Sequence, residues 1–211
     1  LAREIEIKLK IMGESNVVAE ELNRFFDVTA WSCSHLVNRY FDTADLALNR
    51  AKIALRIREK AGAYIQTLKT AGESRDGMHQ RGEWEWNLDA PVLDVECLSE
   101  LDCWPPGIEA DALTCVFETN FERQQAELDW HGARIEVAID RGWISSPNKQ
   151  SGSSDSKCEK REPINEIELE LLSGSPDSLR DLSEKIRERL SVEYDDISKA
   201  QKGYALFTTE H

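Results

Sequence analysis

The sequence predicts an α+β fold that is mainly β, an antiparallel sheet closed into a barrel of about eight strands with helices packed outside it. Three observations predict it. Polar and apolar residues alternate with period two in segment after segment, which puts every second side chain on one face of a strand. The polar faces are sorted by charge, acids on some strands and bases on others, whereas an ordinary solvated face mixes Thr, Ser, Lys, Glu and Gln. Helical periodicity is confined to a few stretches. Closure turns the charged faces inward around a hydrated tunnel and leaves the apolar faces for the helices.

The first strand is 4–10, with Glu4, Glu6, Lys8 and Lys10 on one face and Ile5, Ile7 and Leu9 on the other. A helix follows over 15–27, where Val18, Leu22, Phe25 and Phe26 recur at helical spacing after Ser15 as candidate cap. Strands are expected at 36–42, at 53–59 with Arg56 and Arg58 opposite Ile53, Leu55 and Ile57, at 63–69 and at 81–88. Between 91 and 116, Pro105, Pro106 and Gly107 break a helical stretch into two short pieces. Residues 117–130 read as a hairpin turning near Gln124 to Glu127, and 135–140 alternates again. The polar segment 145–162 reads as a long hairpin insertion rather than a domain boundary. Glu166, Glu168 and Glu170 alternate with Ile167, Leu169 and Leu171 in the last long strand. A helix over 176–190 opens with Ser175 as cap and Pro176 in its first turn, and carries Leu179, Leu182, Ile186 and Leu190 on one stripe.

The chain of 211 residues is long enough to bury a proper core, and the whole of it, 1–211, reads as one domain. With 26 basic and 40 acidic residues the net charge is −14, which opposes extended duplex DNA as a partner. No apolar run spans a bilayer and no export signal opens the chain, so no membrane partner and a cytoplasmic location are expected. The five cysteines, Cys33, Cys97, Cys103, Cys115 and Cys158, form no C-x-x-C pair, and free thiols are expected. A strongly acidic surface favours a monomer.

Carboxylates crowded on facing strands raise one another's pKa unless a cation compensates them. Glu4 and Glu6 are spaced by about 6.6 Å along their strand, so they can converge with Glu166 and Glu168 on one or two ions. An all-oxygen set points to Mg²⁺ or Mn²⁺ rather than Zn²⁺. Lys8, Arg56, Arg58, Lys69, Arg81 and Arg123 would face an anionic ligand, the guanidinium forks matching phosphate oxygens. A metal among many bases indicates a polyphosphate.

Glu4-x-Glu6-x-Lys8 resembles the E-x-E-x-K signature of the CYTH superfamily, the triphosphate tunnel metalloenzymes. The resemblance runs on through Tyr40-Phe41-Asp42-Thr43, Leu55-Arg56-Ile57-Arg58, Thr67-Leu68-Lys69 and His79-Gln80-Arg81-x-Glu83. It ends with Glu136-x-Ala138-x-Asp140-x-Gly142, Glu166-x-Glu168-x-Glu170 and Ser198-Lys199-x-x-x-Gly203-Tyr204, so it covers nearly the whole chain. It implies an eight-stranded tunnel that hydrolyses inorganic triphosphate, or a related polyphosphate, to pyrophosphate and orthophosphate. Carried over, Lys8, Arg39, Arg56, Arg58, Lys69, Arg81, Arg123 and Lys199 hold phosphates, while Glu4, Glu6, Asp140, Glu166, Glu168 and Glu170 serve the metals. Glu4, Glu168, Lys8 and Lys199 form the catalytic set, with Lys199 neutralising charge on the transferred group. Bacterial inorganic triphosphatases of this kind often carry a C-terminal helical CHAD domain. None follows here, and the chain is therefore expected to be part of a longer protein.

Plainer readings accompany these. Taken alone, the E-x-E-x-K segment is better read as a solvated edge strand. His79 reads as a hydrogen-bonded loop residue, Trp84 and Trp86 as packing residues, and Glu83 and Glu136 as salt-bridge partners of the tunnel bases. In 145–162, Lys149, Lys157, Lys160 and Arg161 are a lesser candidate for phosphate capture. Thiamine or nucleoside triphosphate hydrolysis, adenylate cyclisation and non-catalytic polyphosphate binding remain open alternatives.

Overall fold

The computed structural model describes residues 2–13, 17–26, 28, 30–70, 72–146 and 160–209. Eight antiparallel strands close into a barrel in the order β1 (Ala2–Ile11), β9 (Lys160–Ser173), β8 (Ala133–Ser146), β7 (Thr114–Trp130), β2 (Ser32–Asp42), β3 (Ala54–Lys60), β4 (Ala63–Lys69) and β6 (Met78–Leu88). Pairing of Glu4 with Arg81 and Glu6 with His79 joins β6 back to β1 and leaves the barrel without an edge. Two short strands lie outside the ring: β5 (Glu73–Arg75) extends β6, and β10 (Val192–Tyr194) pairs with Leu9–Ile11 of β1.

Alternation decides which side chains face in. Ile7, Leu9, Val137, Ile139, Ile167 and Leu169 form the outer face of β1, β8 and β9, where α1 (Val18–Phe25) and α4 (Pro176–Arg187) cover them. The outer faces of β3, β4 and β6 carry Leu55, Leu68, Trp84 and Trp86, packed with α2 (Ala47–Arg50) and α3 (Val95–Ser99) as the tryptophans were expected to be. At one end of the barrel interior Tyr40, Phe117 and Ile144 meet Tyr204 and Phe207 of α5 (Lys199–Thr208). Phe117 stacks on Tyr40 with ring centroids 4.4 Å apart and meets Tyr204 edge-on at 5.1 Å. That helix closes the end with apolar surface and brings its charged N-terminal turn against the polar interior.

Several expectations shift. No hairpin bends near Gln124 to Glu127: β7 runs unbroken through them, and the chain reverses at His131 and Gly132, whose φ values are 49° and 78°. Two consecutive left-handed residues give the two-residue turn that matches strand twist, and the Gln-Gln pair offers no such conformation. The α4 cap is as read, Ser175 Oγ accepting from the Asp177 amide at 3.2 Å. The stretch 91–116 does hold two short pieces, α3 with Asp94 as its cap and a 3₁₀ turn over Ala110–Ala112. Ser15 lies outside the described residues. The insertion is narrower than 145–162, because Ser145 pairs with Arg161 and Ser146 with Lys160 in the β8–β9 ladder; 147–159, with Lys149 and Lys157, lie outside the described residues. Cys33, Cys97, Cys103 and Cys115 are free thiols. Among the described residues no helix is long and apolar enough to cross a membrane.

Candidate active site

The inward faces enclose a cavity of about 560 Å³ lined mainly by charged and polar groups, with Leu36, Tyr40, Ile53, Phe121 and Tyr204 among them. Register places them. Glu4, Glu6 and Lys8 alternate along β1; Lys8 lies opposite Glu168 and Glu6 opposite Glu170 on β9. Arg56 and Arg58 project from β3, Lys69 from β4, Arg81 from β6 and Arg123 from β7. The first turn of α5 adds Ser198 and Lys199. Ser198 starts that helix with a capping box, its Oγ accepting from Gln201 N at 3.2 Å while Gln201 Oε1 accepts from Ser198 N at 2.8 Å.

Acids and bases interlock. Arg81 donates from Nε to Glu4 at 2.8 Å and from Nη2 to Glu6 at 2.6 Å, and Lys69 bonds both Glu4 oxygens at 2.8 and 2.9 Å and lies 3.2 Å from Glu83. Burial pushes Glu4 up, but Lys69 and Arg81 outweigh it and hold the carboxyl at about 2. Burial raises Glu6, and Glu168 and Glu4 add to the rise against Arg81. Arg123 grips Asp140 through two bonds of 2.7 Å and reaches Glu168. Lys199 Nζ sits among Asp140, Glu166 and Glu168 at 2.6, 2.5 and 2.8 Å. Burial opposes its charge, yet these three carboxylates carry its pKa well above the usual lysine value.

Other groups are left over. Arg58 donates to Asn38 at 2.8 Å and, among the described residues, forms no ion pair; burial, Arg56 and Arg123 bring its pKa down to about 10. The nearest carboxylate to Arg56 is Glu83 at 4.0 Å, and the buried Arg56 Nε has no hydrogen-bond partner. A buried donor without a partner costs free energy that an anion in the cavity would recover. Lys8 is 1% exposed; its ammonium donates to the Ile197 carbonyl, and burial depresses its pKa despite Glu166.

Negative charge is also left over. Glu170 pairs across the ladder with Glu136, and burial together with Glu4 and Glu136 pushes its pKa up to about 7. Glu136 accepts from Gln125 at 3.1 Å. Cavity-facing Glu4, Glu6, Glu168 and Glu170 therefore supply hard oxygen donors, and Glu170, which among the described residues forms no ion pair, adds uncompensated charge, which fits a divalent cation of the Mg²⁺ or Mn²⁺ type. Oxygens of Asp140, Glu166 and Glu168 also lie within 4.8 Å of one another, close enough to share an ion. In this structure the Lys199 ammonium lies among them.

The chain belongs to the CYTH domain family. A family model for the CYTH domain matches residues 2–204. The chain is 30% identical over 208 residues to an inorganic triphosphatase of Haemophilus influenzae, covering 98% of itself and 55% of that protein, so it spans about half the length of this relative. Among solved structures it resembles a Hippeastrum protein, a putative adenylyl cyclase described as having a dominant triphosphatase activity, with a TM-score of 0.65, 21% identity and coverage of 96% and 95% of the two chains. A Pyrococcus horikoshii protein matches with a TM-score of 0.58, 16% identity and coverage of 95% and 98%. A putative adenylate cyclase of Bacillus halodurans matches at 0.53, 19% identity and coverage of 96% and 98%. At these identities the likeness is one of fold.

Most of the expected CYTH residues converge. Lys8, Arg56, Arg58, Lys69, Arg81, Arg123, Lys199, Glu4, Glu6, Glu168 and Glu170 line one cavity. Asp140 and Glu166 lie behind it, 0% and 2% exposed, where they hold Arg123 and Lys199. Arg39 corrects the expectation. On β2 it is Leu36, Asn38 and Tyr40 that turn inward, and Arg39 faces out, 3.5 Å from Glu118 and 3.8 Å from Glu59. His79 is hydrogen-bonded as expected, 3.2 Å from the Asp195 carbonyl, but it lies in β6 rather than in a loop and lines the cavity. Glu83 pairs with Lys69 as expected. Sequence reasoning overlooked Gln125, Lys52 and Lys60 on the cavity wall, and Asp195 and Lys202 beneath it. Lys60 could have been found by extending the alternation of Arg56 and Arg58 two residues further.

Proposed function

We propose that this domain hydrolyses inorganic triphosphate to pyrophosphate and orthophosphate with the help of a divalent cation, Mg²⁺ or Mn²⁺. The observation that carries the reading is one small cavity that pairs under-neutralised guanidinium groups, Arg56 and Arg58, with carboxylates carrying uncompensated charge at Glu170. The named activity of the H. influenzae relative supports it.

In this reading Arg56, Arg58, Arg81 and Arg123, with Lys8 and Lys69, hold the phosphate oxygens and fix the terminal phosphorus in the tunnel. Glu4, Glu6, Glu168 and Glu170 are the residues that would hold a metal. When bound, such an ion neutralises phosphate charge and lowers the pKa of an attacking water. Asp140 and Glu166 keep Lys199 charged and aimed at the cavity, where its ammonium offsets charge gathering on the transferred phosphoryl group.

Inorganic triphosphate is preferred to a nucleotide because the aromatic side chains that reach the cavity are already engaged. Tyr40 stacks on Phe117, Tyr204 meets Phe117, and Phe121 lies under Arg123 and Lys199 at 5.8 and 5.1 Å. Phosphate release from inorganic triphosphate, ATP and thiamine triphosphate, each with Mg²⁺, Mn²⁺ or EDTA, tests the reading. Metal-dependent release from inorganic triphosphate above the other two supports it. Tight triphosphate binding without release from any substrate overturns it in favour of a binding module.

A further inference from the structure

Lys8 and Lys199 reach the cavity from separate parts of the chain, and both touch one short segment between β10 and α5. Asp195 organises that segment. Its amide donates to the Lys8 carbonyl at 3.0 Å, its Oδ1 accepts from the Ile197 amide at 2.9 Å, and its Oδ2 accepts from Lys202 Nζ at 2.7 Å. The neighbouring Ile197 carbonyl takes the Lys8 ammonium. Lys202 stands three residues after Lys199 on the same side of α5 and lies 3.5 Å from Glu166, which also holds Lys199. The β5–β6 turn braces the segment from below. Gly77 donates to Asp196 Oδ1 at 2.8 Å and its carbonyl accepts from the Lys8 amide at 2.9 Å; with φ at +74°, a Cβ there would lie 2.7 Å from Tyr194 and 2.8 Å from the Lys8 carbonyl.

We propose that Asp195 and Lys202 are positioning residues, a partly buried ion pair that locks the 195–198 segment and the first turn of α5 so that Lys8 and Lys199 address the same phosphate group. This rests on the triphosphatase reading. The pair does not itself line the cavity and, by this assignment, does not touch the substrate; it acts through the two lysines. α5 has a separate apolar anchor in Tyr204 and Phe207, which holds the helix in the barrel without fixing the direction of its N-terminal turn.

Asp195→Asn, Lys202→Met and the double variant are compared with the wild-type domain for triphosphate turnover, with unfolding temperature measured alongside. Both single variants are expected to lose kcat/KM on the order of 10- to 100-fold, the larger part in kcat. The double variant should be no worse than the poorer single one, because either change releases the same lock. Lys202→Arg, which keeps the ion pair, should retain most of the wild-type kcat. Tyr194→Phe, which removes only the 3.0 Å hydroxyl contact between the end of β10 and Ser183 of α4, should leave turnover unchanged. Wild-type kcat in folded Lys202→Met, additive losses in the double variant, or an equal loss in Tyr194→Phe overturns the proposal. Lys202→Met keeps an apolar stem in place and decides the matter should Asp195→Asn fail to fold. If the wild-type domain binds triphosphate without hydrolysing it, the functional reading fails alone. Triphosphate affinity then reads the lock, with about a tenfold loss expected in Lys202→Met and wild-type affinity overturning it. A wild-type domain that neither binds nor hydrolyses triphosphate overturns both.

Discussion

Glu168 meets two cations at once, Lys199 Nζ at 2.8 Å and Arg123, and lies opposite Lys8 on the neighbouring strand. Replacing it by Ala removes negative charge beside the phosphate-binding bases, so triphosphate affinity should hold or tighten while metal-dependent turnover falls by about 10²-fold or more; calorimetric binding and phosphate release measured on one preparation check both halves. Glu170 gives a pH prediction. Its carboxyl titrates near 4.5 in a free chain and is raised to about 7 here, by burial first and then by Glu4 and Glu136. Over that window the unfolded chain releases its proton before the folded one, so this group's contribution to stability is lost as pH rises from about 4.5 to about 7. In EDTA, Glu170→Gln should therefore unfold at a higher temperature than wild type near pH 8 and at the same temperature near pH 4. Added Mg²⁺ should narrow the difference, because a bound divalent ion offsets the same charge.

The elements differ in how openly the sequence declares them. β1 and β9 were legible because their alternation is strict and one face is wholly charged. β7 was not, because Gln124 and Gln125 look like a polar turn although they lie within a strand of 17 residues. The actual turn depends on His131 adopting φ 49°, a conformation that is uncommon for any residue but glycine even though histidine is among those enriched there. Arg39 misled for a related reason: parity alone does not say which face of β2 turns inward, and there the inner face carries Leu36, Asn38 and Tyr40. For α5, Gly203 explains how the helix gets so deep. A Cβ at that position would lie 2.2 to 2.6 Å from the Phe117 ring, so only glycine lets the helix seat against β7. Gly203→Ala should cost about 1–3 kcal/mol in chemical denaturation and lower kcat as well, since the same displacement carries Lys199 away from Asp140 and Glu168. Ser198→Ala should cost about 1 kcal/mol by opening the capping box.

On the scale of the whole molecule, charge is segregated. The chain carries a net −14, while Arg56, Arg58, Arg81, Arg123, Lys8 and Lys69 are gathered inside the barrel. A triphosphate therefore meets repulsion at a distance and attraction at close range. Raising ionic strength from about 0.01 to about 0.1 M shortens the screening length from roughly 30 to roughly 10 Å, which removes far-field repulsion before it weakens contacts inside the cavity. The association rate for triphosphate should accordingly rise over that range, opposite to the behaviour of a basic polyanion binder; stopped-flow binding with the non-hydrolysing Glu168→Ala variant reads the sign directly.

By itself the sequence determined the strand faces, the acid and base sets and the family signature, because a period of two and a side chain's charge are local properties that survive without knowledge of the partner strand. Only the tertiary structure decided who neutralises whom. Barrel closure sets Arg81 against Glu4, β7 and β8 set Arg123 on Asp140, and α5 returns from the far end of the chain to place Lys199 among three carboxylates. Those pairings join residues up to 77 positions apart, in the case of Arg81 and Glu4, and the hydrogen bond from Lys8 to the Ile197 carbonyl spans 189. Contacts of that span are fixed by register and shear around the whole barrel, and no local pattern encodes them.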